Sequence, residues 1–472
     1  MIDNLLCNKN KTLYDVLSVI NNNGKGIAFI VDESNKLCGV LTDGDIRRSL
    51  LGGKSLTSLA GEVIGKTFVS AVKTDAYDQM LKKISANVQI FPIVDEQNKV
   101  VDYFEYRSDI HVPVAIPDLR GNELNYLMDA FKSTWISSSG KYITRFEEGF
   151  AGYCECAHGV AVSNGTVALH LALKALGVGE GDEVIVPDLT FAATINTVLH
   201  SNATPVIVDI EEDSWCIAPS EIEKAITKRT KAIIPVHLYG QPCDMQRIMK
   251  IAKDKGLFVV EDAAEAHGAR YKGKKVGSIG DIGCFSFFGN KVITTGEGGM
   301  CVTNSKELNE KMRSLRDHGM SKTKKYWHES VGFNYRMTNL QAAIGVAQLE
   351  RIDEILGQRK EIENGYRKNL SSVKNIEFQK NDLKDREKIT WLVCALVKGG
   401  DRDDLMSKLR AKGIDSRPFF YALSEMDIYK KYVFSNSVSR KITKEGLNFP
   451  TSFDLNKTIY DDIKEIFLKE SA

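Results

Sequence analysis

Residues 283–304, G-C-F-S-F-F-G-N-K-V-I-T-T-G-E-G-G-M-C-V-T-N, set one lysine, Lys291, between two apolar runs. The runs at 284–288 and 299–303 read as short buried strands. Gly296, Gly298 and Gly299 call for a tight turn before the second. A chain with this stretch must bring two strands together with an amine at their mouth. Desolvation beside such a turn disfavours a lysine's charged form and makes the amine a usable nucleophile for a Schiff base.

Upstream, residues 256–264 (G-L-F-V-V-E-D-A-A) read as a buried strand ending in Glu261 and Asp262, followed by Glu265 and His267. In α/β folds a ligand sits at the carboxyl ends of parallel strands. Asp262 precedes Lys291 by 29 residues, a spacing that suits neighbouring strands. Taken alone, Asp262 would read as a helix cap. With Lys291 it reads as the carboxylate that keeps the pyridine nitrogen of pyridoxal 5′-phosphate (PLP) protonated. A third element, Ser163-Asn164-Gly165-Thr166, precedes an apolar helix at 167–176. Free N–H groups and a positive dipole end make such a helix start a seat for phosphate.

These residues belong to a longer pattern: S-T-W-I-S-S-S-G-K-Y-I (133–143), V-S-N-G-T-V-A-L-H-L-A-L (162–173), H-L-Y-G-Q-P-C-D-M (237–245), E-D-A-A-E-A-H-G-A (261–269) and Y-W-H-E-S-V-G-F-N-Y-R-M-T-N-L-Q-A-A-I-G (326–345). From about Val112 onward the chain resembles the DegT/DnrJ/EryC1/StrS sugar aminotransferases of PLP fold type I. The resemblance implies an α/β fold, a mostly parallel sheet with helices on both faces and a small C-terminal α/β domain. It implies that Lys291 carries PLP and that Asp262 faces the ring nitrogen. It also implies that Gly165, Thr166 and Ser286 hold the phosphate, and that Phe191 stacks on the ring. Glu265 lies near the ring oxygen, where an amide is frequent in the wider family. Asn334 reaches the phosphate of a neighbouring subunit, so a homodimer with shared active sites is expected, with higher assembly open.

Ser137, Tyr326, His328 and Arg417 fall where the sugar nucleotide could be met. His328 reads equally as a surface histidine, and Arg417 as either a bidentate anion ligand or a surface ion-pair member. The implied reaction moves an amino group from L-glutamate to a nucleotide-linked 4-keto-6-deoxy sugar, with GDP-4-keto-6-deoxymannose the first candidate. A UDP-linked 4-keto acetamido sugar and a nucleotide sensor with a vestigial catalytic half are the alternatives. The dehydratase branch of this fold has histidine in place of the lysine, so Lys291 argues against that chemistry.

The first 110 residues repeat themselves. T-L-Y-D-V-L-S-V-I-N-N-N-G-K-G-I-A-F-I-V-D-E-S-N-K (12–36) aligns without a gap on D-A-Y-D-Q-M-L-K-K-I-S-A-N-V-Q-I-F-P-I-V-D-E-Q-N-K (75–99), at an offset of 63. Each unit reads as an amphipathic helix, a strand, a polar turn and a second strand, and two such units should share one core. The pattern, with G-V-L-T-D-G-D-I-R-R (39–48), resembles a tandem pair of CBS domains. That resemblance implies a nucleotide at Thr42 and Asp45. The second unit departs from it, with Glu105, Tyr106 and Ser108 at the matching positions, and a purely structural or dimer-forming module is the other reading. The expected domains are 1–110, 111–350 and 351–472, with a linker at 107–116.

Bulk properties exclude several classes. A net charge of +1 without a basic block gives no reason to expect nucleic acid as a partner. No apolar run approaches the roughly 18 residues of a membrane span, and the N-terminus lacks the layout of a secretion signal. The nine cysteines are scattered, with only Cys154 and Cys156 close together. The expectation is reduced thiols in a cytoplasmic protein without a metal site.

Overall fold

A computed structural model of the chain describes residues 2–65, 67–75, 79–80, 83–85, 88–105, 112–453, 455 and 458–470. It divides into two units, Met1–Asp109 and Ile110–Ala472.

In the first unit the sequence repeat reappears as a repeat of strand register. β1 (Leu6–Asn8), α1 (Leu13–Asn23), β2 (Ile27–Val31), β3 (Leu37–Thr42) and α2 (Asp43–Leu51) are followed by β4 (Ala71–Val72), β5 (Ile90–Val94) and β6 (Val100–Glu105). β1 runs parallel to β2 and β2 antiparallel to β3; β4, β5 and β6 pair in the same way. The pair Ile27↔Thr42 recurs as Ile90↔Glu105, and the register shift at Ile30/Val31 recurs at Ile93/Val94. Both hairpins turn by one device. Asp32 Oδ1 accepts from the N–H groups of Ser34 and Lys36, Asp95 Oδ1 accepts from those of Gln97 and Lys99, and Asn35 and Asn98 take φ of 60° and 63°, which asparagine tolerates.

The hairpins are joined reciprocally, Leu37 N–H donating to Asn98 O at 2.9 Å and Val100 N–H to Asn35 O at 3.1 Å. A local pseudo-twofold passes between them. Phe29, Val31, Leu37, Val94 and Val100 form a core common to the two repeats, as expected of units that cannot bury their own faces. Of the helix expected from 75 onward, residues 76–78 and 81–82 lie outside the described residues, as do Tyr106, Ser108 and the part of the expected linker at 107–111.

The structure gives Thr42 and Asp45 a local task. Thr42 Oγ1 donates to Asp45 Oδ2 at 2.6 Å and accepts from Asp45 N–H at 3.2 Å, a capping box that starts α2. Thr12 and Asp15 do the same for α1. Glu105, which stands in place of Thr42 in the second repeat, pairs with Lys25.

The second unit is built on seven strands: β7 (His158–Val162), β8 (Glu183–Pro187), β9 (Thr204–Val208), β10 (Thr230–Ile233), β11 (Phe258–Asp262), β12 (Ile282–Ser286) and β13 (Gly299–Thr303). Their order is β7-β13-β12-β11-β10-β8-β9. Only β13 runs against its neighbours. Helices α3 (Gly165–Ala175) and α4 (Ala193–His200) follow β7 and β8. Cores lie on either side of the sheet, one around Phe146, Phe150, Phe285 and Phe287, the other around Leu171, Ile195, Ile207 and Val260. α5 (Asn339–Glu350) and α6 (Ile352–Asn369) lead to a four-stranded antiparallel sheet in the order Ile376–Phe378, Val393–Val397, Gly446–Phe449, Arg417–Pro418, which has its own core.

Three expectations are corrected. The strand read at 256–264 is shorter, because Gly256 ends the preceding helix at φ 66° and the ladder to β12 stops at Asp262. The linker read at 107–116 is already anchored from Val112: its N–H donates to Gly413 O, and Pro113 O and Val114 O accept from Ser452 and Thr451. The charged helix read from about Leu349 is two helices with a break at Arg351 (φ −115°, ψ 8°), whose Nη2 donates to Asp118 Oδ2 at 2.8 Å. Among the described residues no helix is long and apolar enough to cross a membrane, and no group of three or more His, Cys, Asp or Glu could hold a metal ion.

Candidate active site

β11 ends on Asp262, whose N–H and C=O are both bound by the segment that follows β10. His237 N–H donates to Asp262 O at 3.0 Å, and Asp262 N–H donates to Pro235 O at 2.9 Å. Glu261, one residue earlier, is buried beneath. It accepts from His237 Nε2 at 3.0 Å and from the N–H groups of Gly277, Ile279 and Gly280. Burial opposes its charge, but His237 and these donors outweigh burial and hold the carboxyl below its usual range.

Asp262 is held by weaker partners. Thr194 Oγ1 donates to its Oδ2 at 2.8 Å and Ala264 N–H to its Oδ1 at 3.3 Å. Burial pushes this carboxyl above its ordinary value, although Thr194, Ala264, Lys291 and His237 pull it down. Its direct hydrogen-bond donors are a neutral hydroxyl and an amide, so a cation seated against it would be strongly favoured. Glu265 is also pushed up by burial, against the pull of Lys291. Its Oε2 accepts from Tyr239 N–H at 2.9 Å, and its Oε1 lies 3.4 Å from Lys291 Nζ. Lys291 follows β12, the neighbour of β11, and its side chain is 12% exposed.

The helix start read as a phosphate seat lies at the end of β7. Asn164 caps α3, its Oδ1 accepting from Val167 N–H at 2.9 Å, which leaves the Gly165 and Thr166 N–H groups in the first turn without intrahelical partners. Close packing explains the glycines. A Cβ on Gly165 would stand 2.7 Å from Ser286 Cβ, and one on Gly299 would stand 2.4 Å from Asn164 O. Ser286, the last residue of β12, is thereby brought against the start of α3.

The remaining expected residues are more dispersed. Phe191 follows β8 and is 59% exposed, its ring 5.6 Å from that of Phe420. Asn334 is exposed, and its Oδ1 accepts from Arg336 Nε at 3.0 Å. The adjacent Tyr335 O accepts from Ser163 N–H, so Asn334 neighbours the α3 approach of its own chain. Ser137 is exposed, and its carbonyl accepts from Asn339 N–H at 2.6 Å. Tyr326 is 78% exposed, His328 Nδ1 donates to His318 O, and Arg417 is exposed on an edge strand. Among the described residues no hydrogen bond or ring contact joins Ser137, Tyr326, His328 or Arg417 to Asp262, Glu265 or Lys291.

Several residues of the site escaped the sequence reading. Thr194 holds Asp262. Trp391 places its ring centroid 3.9 Å from Lys291 Nζ. Arg359 donates to the carbonyls of both Trp391 and Lys291. None carries a local motif, and each comes from an element distant in sequence.

His267, behind the site, gives a pH prediction. It is fully buried among Phe150, Phe285 and Phe287, and its Nε2 donates to Ser286 O at 3.0 Å. Burial, then the charges of Lys291 and Arg359, bring its pKa down to about 3, although Ser286 O pulls the other way. The folded chain therefore keeps this ring neutral, while the unfolded chain protonates it below about 6.5. Its contribution to stability is complete above about pH 6.5 and is lost as pH falls toward about 3, at most about 1.4 kcal/mol per pH unit. Urea unfolding at pH 7 and pH 4.5 should show a steeper loss for the parent than for His267→Gln. Parallel losses would contradict it.

A mostly parallel sheet with a lysine and a carboxylate at adjacent strand ends, facing a glycine-bearing helix start, defines a PLP-dependent aminotransferase of fold type I. Comparison with known proteins agrees. The chain belongs to the DegT/DnrJ/EryC1/StrS aminotransferase family, which matches residues 117–467, and residues 1–52 match the CBS domain. It is 45% identical over 362 residues to a GDP-perosamine synthase of Escherichia coli O157:H7, covering 76% of this chain and 99% of that one. It is 46% identical over 361 residues to a GDP-perosamine synthase of Caulobacter vibrioides, covering 75% and 97%. A Streptococcus pneumoniae protein assigned as a sugar aminotransferase and solved in its PLP form superposes with a TM-score of 0.72 at 28% identity, over 76% of this chain and 99% of that one. The chain is a sugar aminotransferase, and its cofactor is PLP. The residues fit that group: a close-packed helix start for an anionic phosphate, and a buried carboxylate short of a cation.

Proposed function

We propose that the chain transfers an amino group from L-glutamate to the 4-keto group of GDP-4-keto-6-deoxymannose, giving GDP-perosamine for a surface polysaccharide. The observation that carries the substrate is the similarity, at 45–46% identity and over 97–99% of their length, to two GDP-perosamine synthases. The chemistry is supported by the grouping of Lys291, Glu265 and Asp262.

When bound, PLP supplies the electron sink for a carbanion next to the transferred nitrogen. Gly165, Thr166 and Ser286 would hold its phosphate, Phe191 would cover its ring, and Asp262 would face the ring nitrogen. Lys291 Nζ holds the cofactor and takes the proton from Cα of glutamate. In the second half-reaction it delivers a proton to C4 of the sugar. Asn334 of a second copy would complete the phosphate site if this segment meets the neighbouring subunit in a homodimer, although within one chain it lies beside Ser163. Ser137, Tyr326, His328 and Arg417 are the candidates for contact with the sugar nucleotide.

The test loads the protein with PLP, converts it with L-glutamate, removes the glutamate, and then adds keto-sugars one at a time. Recovery of the PLP absorbance with GDP-4-keto-6-deoxymannose, and not with a UDP-linked 4-keto acetamido sugar, is expected. The reverse preference would keep the chemistry and replace the substrate.

A further inference from the structure

The proposed function gives Lys291 two conditions, joined to the cofactor and free. The surroundings of the free amine are unusually specific. Its Nζ lies 3.9 Å from the centroid of the Trp391 ring and 3.4 Å from Glu265 Oε1. The indole is not an incidental neighbour. It is 3% exposed, and its Nε1 donates to Asn290 O at 2.7 Å, one residue before Lys291. Arg359, fully buried, donates from Nη1 to Trp391 O at 2.6 Å and from Nη2 to Lys291 O at 3.4 Å. One guanidinium therefore fixes the main chain beneath both partners. The indole stacks further on Tyr239 (6.0 Å, 21° between planes), whose N–H donates to Glu265. Both walls of the cradle are thus set by one connected group of residues.

We propose that Trp391 is a positioning residue whose indole face, with the Glu265 carboxylate, holds the Lys291 ammonium whenever the amine is not joined to the cofactor. The inference rests on Lys291 being the cofactor lysine. A desolvated ring face attracts an ammonium more strongly than an exposed one, and Trp391 is almost fully buried. Each turnover frees the amine and then needs it again. A free lysine has several rotatable bonds to immobilise, and the cradle limits that search.

The test is made first on apoprotein, without sugar or cofactor. The rate at which an amine-reactive acylating reagent labels Lys291 is followed by peptide mass spectrometry at one pH, with surface lysines as the internal reference. Trp391→Leu and Trp391→Phe both lose the indole N–H, but only Phe retains a ring face. Labelling should be about tenfold faster than the parent in W391L and within about threefold in W391F, on the scale of a desolvated cation–π contact. Trp391→Met serves as the apolar variant if W391L does not fold. In the PLP-loaded protein, W391L should lower kcat with little change in KM for the keto-sugar.

Equal labelling of the apolar and Phe variants, whether slow or fast, would overturn the proposal. PLP that fails to protect Lys291 in the parent would instead overturn the functional reading and reduce the cradle to a structural contact. The two failures are therefore told apart.

Discussion

Replacing Lys291 with alanine is expected to lower transamination by at least about ten-thousandfold while leaving the fold in place. A positioned general acid–base group contributes about 10²–10⁴ in rate, and in the proposed reaction one amine acts at two carbon atoms and also anchors the cofactor. The side chain crosses no core; it lies between Trp391 and Glu265 at the mouth of the sheet. Its loss leaves Glu265 without the positive charge that now opposes burial, so that carboxyl should shift further up and protonate more readily. Circular dichroism should be unchanged, and bound PLP should show the absorbance of the free aldehyde instead of that of its Schiff base with Lys291. Small primary amines added in solution should restore a fraction of the rate, which a merely misfolded variant could not show. Turnover within tenfold of the parent would refute the role.

The sequence showed some parts of this molecule clearly because their causes are local. The offset of 63 residues predicts two equal hairpins, and the registers Ile27↔Thr42 and Ile90↔Glu105 repeat at that offset, since hairpin register follows from turn residues and side-chain alternation. Lys291 and Asp262 stood out because strand ends and glycine turns have short-range signatures. The residues around them did not. Thr194, Trp391 and Arg359 reach the site from 68 to 100 residues away from their partners Asp262, Lys291 and Lys291, and no spacing rule links them. Thr42 and Asp45 show a further limit: the sequence reading gave them a ligand and missed the capping box they form at the start of one helix. Strand limits moved by a few residues because the ladder, not the apolar run, decides where pairing stops.

Replacing Asp262 with asparagine tests the other end of the site, and kcat is expected to fall by about a thousandfold, the scale of removing one preorganised electrostatic partner. The substitution is nearly isosteric. An asparagine oxygen turned toward Thr194 still accepts its hydroxyl proton, and only the contact from Ala264 N–H, at 3.3 Å, is lost. What disappears is the negative charge. That charge is held in a place where burial pushes the carboxyl up and the direct donors are neutral, an arrangement that costs stability by itself and that the proposed function explains by a cation arriving with the cofactor. Two consequences separate this account from a packing defect. The asparagine apoprotein should be no less stable than the parent near pH 7, because a buried charge has been removed along with one weak hydrogen bond. A cofactor analogue whose ring nitrogen carries a permanent positive charge should recover part of the lost rate, since it no longer depends on a carboxylate to stay cationic. Recovery absent, together with a large drop in apoprotein stability, would assign Asp262 to the fold rather than to the reaction.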